Sequence, residues 1–179
     1  MAFCTTYETG LIGELTLASD GDNIIGCWFE NDRLFGDTVD EPFEPNDELP
    51  VFGDAKAWLD RYFRGENPSI DELPLKPNGT EFRQLVWDKL KAVPYGTTTT
   101  YGDIARELEF ETGRRMSSQA VGGAVGHNPL CVIVPCHRVM GAKGNLTGFG
   151  GGIDTKVKLL EHEHADMTGF FHPKKGTAL

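Results

Sequence analysis

The chain has 179 residues, 39% of them hydrophobic, with a formal net charge of -10 at pH 7, which is length enough for one or two small domains with a real core. That charge excludes a protein that grips nucleic acid over its whole surface, and no apolar run reaches the length of a signal peptide or a membrane span. Cys4, Cys27, Cys131 and Cys136 show neither a CxxC pair nor even spacing, which predicts reduced thiols and a cytoplasmic address without membrane association.

In chain order, "LIGELTL" (Leu11–Leu17) and "NIIGCWF" (Asn23–Phe29) flank the turn signal "ASDGD" and predict a β-hairpin. "VFGDAKAWLDRYFRG" places Phe52, Ala55, Trp58, Leu59, Tyr62 and Phe63 on one helical stripe that stops at Gly65. These elements make an N-terminal α/β domain over residues 1–75, a hairpin or small antiparallel sheet plus a helix. Gly65–Gly79, with three prolines and two glycines, predicts a linker.

A mostly helical domain over residues 76–165 follows. Thr80 can cap a helix with Phe82, Leu85, Val86, Leu90 and Val93 inward, ended by Pro94. After the connector "PYGTTTT", Thr100 or Asp103 opens a helix that Gly113 breaks, and Ser117 or Ser118 caps "SSQAVGGAVGHN". Two helices joined by a short turn suit a helix-turn-helix. Each glycine in the second helix weakens it by about 1 kcal/mol relative to alanine. Either something approaches that backbone closely, or the helices pack tightly. Asp154 caps a last helix with Val157, Leu159 and Leu160 inward, and residues 166–179 form a loose tail.

The charge follows this division. Residues 1–79 carry 17 acids against 5 Lys/Arg, whereas residues 80–145 carry 6 against 8. A polyanion would be accepted by the middle segment, and the N-terminal acids serve equally well as a solvated face.

Within "VIVPCHRVMGAKGNLTGFGGG" (Val132–Gly152), an apolar run delivers Cys136 beside His137 and Arg138. A free thiol is mostly protonated at neutral pH, so a nucleophilic cysteine needs a base or a positive neighbourhood. Neighbours on an extended strand point to opposite faces. A turn or helix start must therefore follow Pro135 if His137 is to serve Cys136, directly or through one water. Glu161 or Glu163 on the last helix could polarise the histidine. A packed cysteine beside a surface histidine is the bland alternative. Zinc held by some of Cys4, Cys27, His127, Cys136 and His137 is a weaker one, because no pair has structural-zinc spacing. Cys131 is expected to be a buried small hydrophobe.

"PCHRV", with "AVGGAVGHNP" before it and "GNLTGFGGGIDTKVKLLEHE" after it, resembles the O6-alkylguanine-DNA alkyltransferases, the suicide methylated-DNA-protein-cysteine methyltransferases. The resemblance is strong over residues 80–163 and loose over the N-terminal unit. It implies stoichiometric, irreversible transfer of a methyl or larger alkyl group from O6 of guanine, or from O4 of thymine, in double-stranded DNA to Cys136. The base is flipped out of the stack. It further implies that His137 is a base acting through a water and that Glu163 orients it. Asn128 holds the turn, and Tyr101 assists nucleotide rotation and bonds the flipped guanine. The recognition helix enters the minor groove by the small face of Ala120, Gly123 and Ala124, and the backbone at Cys136, Val139 and Gly150 reads the base. Arg138 belongs to the same set of substrate and DNA contacts.

Two positions depart from the family pattern. Gln119 stands where an intercalating arginine is common, with Arg114 or Arg115 as compensation, and Phe149 stands where a tyrosine often closes the pocket. The N-terminal cysteines do not match the positions used for structural zinc in some members of that family, so no metal is expected, nor any cofactor, and a monomer is the default. Related alkyltransferase-like proteins that bind lesions without repairing them lack the cysteine, so a non-catalytic lesion binder is the first alternative. A Cys-His-Glu hydrolase is the second.

Overall fold

In the computed structural model, which describes residues 1–173, the N-terminal residues build four strands: β1 (Ala2–Glu8), β2 (Glu14–Ser19), β3 (Ile24–Phe29) and β4 (Phe43–Pro45). They pair in the order β3-β2-β1-β4, with antiparallel neighbours except for the parallel β1–β4 edge. The hairpin expected from sequence is β2–β3. Its turn is held by Asp20, whose Oδ1 accepts from the amides of Asp22 and Asn23 at 3.1 and 2.8 Å. Leu11 lies on the β1–β2 turn, not in a strand.

Helix α1 (Pro50–Phe63) starts on a proline, where the missing amide hydrogen is harmless. It buries Phe52, Ala55, Trp58, Leu59 and Tyr62 against β2 and β3. Burying each of the large side chains contributes roughly 1.5–3 kcal/mol.

Gly65–Gly79 is not a free linker. Trp58 Nε1 donates to the Ser69 carbonyl at 2.8 Å. Ile24 exchanges backbone bonds with Pro74 and Lys76 at 2.8 and 2.9 Å, so the segment pairs with β3. The first compact unit accordingly runs from Met1 to Gly79, and it also takes in Pro129–Ile133 from the second half of the chain. That short run joins it by main-chain pairing, with the Cys27 amide donating to Pro129 at 2.7 Å and the Cys131 amide donating to Cys27 at 2.9 Å.

The second unit comprises Thr80–Asn128 and the chain from Val134 onward. Its helices are α2 (Glu81–Lys91), α3 (Tyr101–Thr112) and α4 (Ser118–Gly126), packed on one another. Thr80, Thr100 and Ser117 cap them by accepting from the amides of Arg83, Asp103 and Ala120. Each such cap contributes about 1 kcal/mol. Gly113 ends α3 at φ 68°, and Trp87 Nε1 ties α2 to α4 through the Ala124 carbonyl at 2.8 Å. Two short strands, β5 (Thr99–Thr100) and β6 (Val139–Met140), pair in parallel.

Helix α5 (Ile153–His162) is capped at Gly152 rather than Asp154, which lies in the first turn, where its charge meets the helix dipole. Residues 166–171 are not loose, because Phe171 bonds the backbone of Gly144 and Leu146. The remainder of the expected tail, 174–179, lies outside the described residues. Among the described residues no helix is long and apolar enough to cross a membrane.

Candidate active site

Cys136 is held by a tight change of direction. Pro135, at φ -81° and ψ 66°, makes an inverse γ-turn in which the Cys136 amide donates to the Val134 carbonyl at 2.8 Å. One 3-10 turn, Cys136–Arg138, follows and takes the chain out of strand geometry. From the end of α4, Asn128 Nδ2 donates to the same Val134 carbonyl at 2.9 Å. Just upstream, Val132 sits at φ 70°, a left-handed conformation that strains a β-branched residue.

Behind the cysteine lies a buried ionic cluster. His137 Nε2 is 2.7 Å from Glu163 Oε1, and both side chains are fully buried. Arg138 clamps the same carboxylate, Nε to Oε2 at 2.8 Å and Nη2 to Oε1 at 2.9 Å. Its Nη1 donates to the Val93 carbonyl at 2.7 Å, and its guanidinium stands 5.6 Å from the Tyr95 ring centroid. The Gly96 amide donates to Glu163 Oε2 at 3.4 Å. Gly96 has φ 75°, and a Cβ there would come within 3.0 Å of the Glu163 carbonyl, so the close approach requires glycine.

Burial alone would raise the Glu163 pKa, but the hydrogen bonds from His137 and Arg138 outweigh it and hold the carboxyl well below the usual range. An ionised carboxylate only accepts, which assigns the imidazole proton to Nε2. Nδ1 is then a lone pair, buried and without a hydrogen-bond partner in the protein. Burial pushes the His137 pKa down against the pull of Glu163, with Arg138 and Lys156 adding to the downward push. At neutral pH this is a neutral imidazole free to take one proton at Nδ1.

Sequence reasoning missed Lys156. It is 0% exposed, and its Nζ donates to the carbonyls of Val139 at 2.5 Å and Thr147 at 3.2 Å. Burial lowers its pKa to about 8, while negative charge on Cys136 acts to raise it. Tyr101 has its phenol pKa raised by burial and then by the Cys136 charge, and its hydroxyl donates weakly to Thr147 and Gly148 carbonyls at 3.4 and 3.5 Å. A thiolate at Cys136 therefore lies within electrostatic reach of a buried ammonium and a protonated phenol. The missed signal is visible in the heptad: Lys156, Leu159, Leu160 and Glu163 share the inward stripe of α5.

The remaining candidates sort by exposure. Gln119, Ala120 and Gly123 are exposed on α4, as are Arg114 and Arg115 in the turn before it. Ala124 is not part of that face: it is 3% exposed, and its carbonyl takes the Trp87 bond. Arg138 is buried, with its guanidinium bonded to Glu163 and to the Val93 carbonyl. The Val139 carbonyl is engaged by Lys156. Phe149 is half-buried and Gly150 exposed, in the segment leading to α5; of the two candidate acids Glu161 is exposed and Glu163 is the one bonded to His137. Cys131 is buried. Among the described residues no group of three or more His, Cys, Asp or Glu is placed to hold a metal ion.

Comparison with known proteins bears on this geometry. Residues 81–165 match the family model described as 6-O-methylguanine DNA methyltransferase, DNA binding domain, and residues 2–77 match its ribonuclease-like domain. A methylated-DNA–protein-cysteine methyltransferase of Haemophilus influenzae is 40% identical over 88% of this chain and 84% of its own. One from Mycobacterium tuberculosis is 43% identical over 89% and 93%. A crystal structure of a Mycobacterium tuberculosis O6-methylguanine methyltransferase superposes with TM-score 0.75 at 40% identity, covering 92% of this chain and 93% of that one. A second structure from that organism, in complex with DNA, gives the same TM-score and identity over 91% and 92%.

The buried charges set a stability profile. Below pH 6.5 the unfolded chain protonates a freed histidine while folded His137 stays neutral, and near pH 4.5 it protonates a freed glutamate while folded Glu163 stays ionised. Both effects lower stability as pH falls. Between pH about 8 and 10.5 the unfolded chain retains the lysine proton that folded Lys156 has lost, so stability rises there. Urea denaturation should show the unfolding free energy falling from neutral pH into acid. Relative to Lys156→Met, the wild-type protein should gain stability between about pH 8 and pH 9.5. Parallel profiles for the two proteins in that window would contradict the buried-ammonium assignment.

Proposed function

The chain belongs to the 6-O-methylguanine DNA methyltransferase family, a methylated-DNA–protein-cysteine methyltransferase that repairs DNA by alkyl transfer. From that premise we propose that Cys136 is the acceptor and that the group comes from O6 of a guanine swung out of the duplex. The observation that carries this reading is the buried His137–Glu163 pair with its open Nδ1, on the same 3-10 turn as a cysteine delivered by the Pro135 turn.

In the proposed reaction His137 takes the Cys136 proton at Nδ1, directly or through one water, and the imidazolium that forms is stabilised by Glu163. Lys156 favours the thiolate by charge. The sulfur attacks the alkyl carbon, the S–C bond forms as the C–O6 bond breaks, and the electron pair leaves on the guanine, which takes up the proton and becomes ordinary guanine. The thioether is stable, so one molecule repairs one lesion. The same displacement serves O4-methylthymine. Tyr101 contributes a neutral hydroxyl beside the base, and the exposed Gly150 amide with the Phe149 ring forms the pocket wall.

DNA is the partner, approached by α3 and α4 acting as a helix-turn-helix. The exposed face of Gln119, Ala120 and Gly123 enters the minor groove, whose width admits only short side chains. Arg114 and Arg115, in the turn, meet phosphates, and Gln119 fills the gap left by the flipped base without supplying charge.

Cys136→Ala should bind duplex containing O6-methylguanine as the wild-type protein does and remove no methyl group. Residual demethylation would move the acceptor elsewhere. Gly123→Ala separates packing from recognition, since a Cβ there meets nothing within 4 Å. It should stabilise the fold by about 1 kcal/mol and weaken DNA binding by about tenfold. Unchanged binding would remove this face from the interface.

A further inference from the structure

The segment after Ala165 lies beyond the residues that match the family's DNA binding domain, yet it is built into the site. Past Glu163, His164 turns the chain in the left-handed region at φ 57°. A turn closed by Phe170 N–H to Met167 O at 3.2 Å then brings Phe171 alongside Asn145 as an added parallel bridge. The Phe171 amide donates to the Gly144 carbonyl at 3.0 Å, and the Leu146 amide donates back to the Phe171 carbonyl at 2.9 Å. Met167 and Phe170 pack on a core of Met140, Leu146, Leu160 and Ala165. The approach is close enough to demand glycine: a Cβ on Gly144 would stand 2.4 Å from the Gly169 carbonyl oxygen.

The two ends of this segment are informative. It starts three residues after Glu163, which holds His137, and its last residue, Phe171, bonds Leu146, the residue before Thr147. The Thr147 carbonyl receives both Lys156 Nζ and Tyr101 Oη. Phe149 and Gly150 follow within the same short connection to α5. Nothing in residues 142–152 is longer than a single 3-10 turn, and Lys143 itself sits at φ 59°. Such a connection has little structure of its own with which to hold a pocket wall, and bonds from outside must supply it.

We infer that Asp166–Phe171 is a positioning strap that couples the Glu163 end of α5 to the pocket wall Thr147–Gly150, so that the rate of alkyl transfer at Cys136 depends on it. The strap touches no reacting atom. It fixes where the wall presents the alkyl carbon to the thiolate, and small misplacements of reacting groups are expensive in rate. This inference rests on the alkyl-transfer reading of Cys136.

The test is single-turnover transfer from O6-methylguanine duplex with protein in excess, using the full chain and Phe170→Ala. The rate constant at saturation should fall by roughly tenfold, with the DNA concentration dependence unchanged and most of the rate restored in Phe170→Leu, which refills the apolar site. If Phe170→Ala does not fold, Gly169→Ala serves instead, since its Cβ meets nothing within 4 Å and disturbs only the turn at φ 80°. An unchanged rate constant, or a loss confined to DNA affinity, would overturn the strap. Failure of the wild-type protein to methylate Cys136 would instead overturn the reading on which it rests.

Discussion

A fully buried carboxylate must be compensated, and Glu163 is compensated by His137, by two nitrogens of Arg138 and by the Gly96 amide. The rest of the site depends on that one group remaining ionised. Its charge makes His137 a donor at Nε2 and so leaves Nδ1 as an open lone pair. It also gives Arg138 a reason to be buried, and Arg138 in turn anchors the chain after α2 through the Val93 carbonyl. Removing one member of such a cluster leaves an uncompensated buried charge, typically worth 3–5 kcal/mol. The cluster therefore joins chemistry to stability, and its position at the C-terminal end of α5 lets one helix register both.

Lys156, two turns earlier on the same helix face, completes the electrostatics. Burial lowers the pKa of this ammonium to about 8 even with negative charge on Cys136 acting to raise it. Negative charge on Cys136 and positive charge on Lys156 thus favour each other. Cys136 itself is fixed by the Pro135 turn and by the Asn128 side-chain bond to the Val134 carbonyl.

Much of this was legible in the residues. Apolar periodicity located α1, α2 and α3, the threonines marked the starts of α2 and α3, and Gly113 marked the end of α3. The Cys136–His137 pair with a later glutamate announced a relay. Less legible were features set by long-range pairing. Strands β1 and β4 carry no strong local signal: β1 forms because β2 offers it an edge, and β4 because β1 offers it the next one. Gly65–Gly79 has the composition of a linker, but Pro74 and Lys76 find backbone partners on Ile24. Asp154 has the chemistry of a cap, yet Gly152 takes that place. In the site, nothing local in the sequence signals that Arg138 is buried; its partner Glu163 lies 25 residues further on. Ala124 belonged by size to the recognition face and by helical phase to the core.

Intact and peptide mass spectrometry, after mixing the protein with excess duplex carrying one O6-methylguanine, tests the central claim most directly. The account predicts one added methyl group, located on the Cys136 peptide, with repair stopping at one equivalent per protein molecule. An unmodified protein beside unrepaired DNA, or repair that continues past one equivalent, would contradict it.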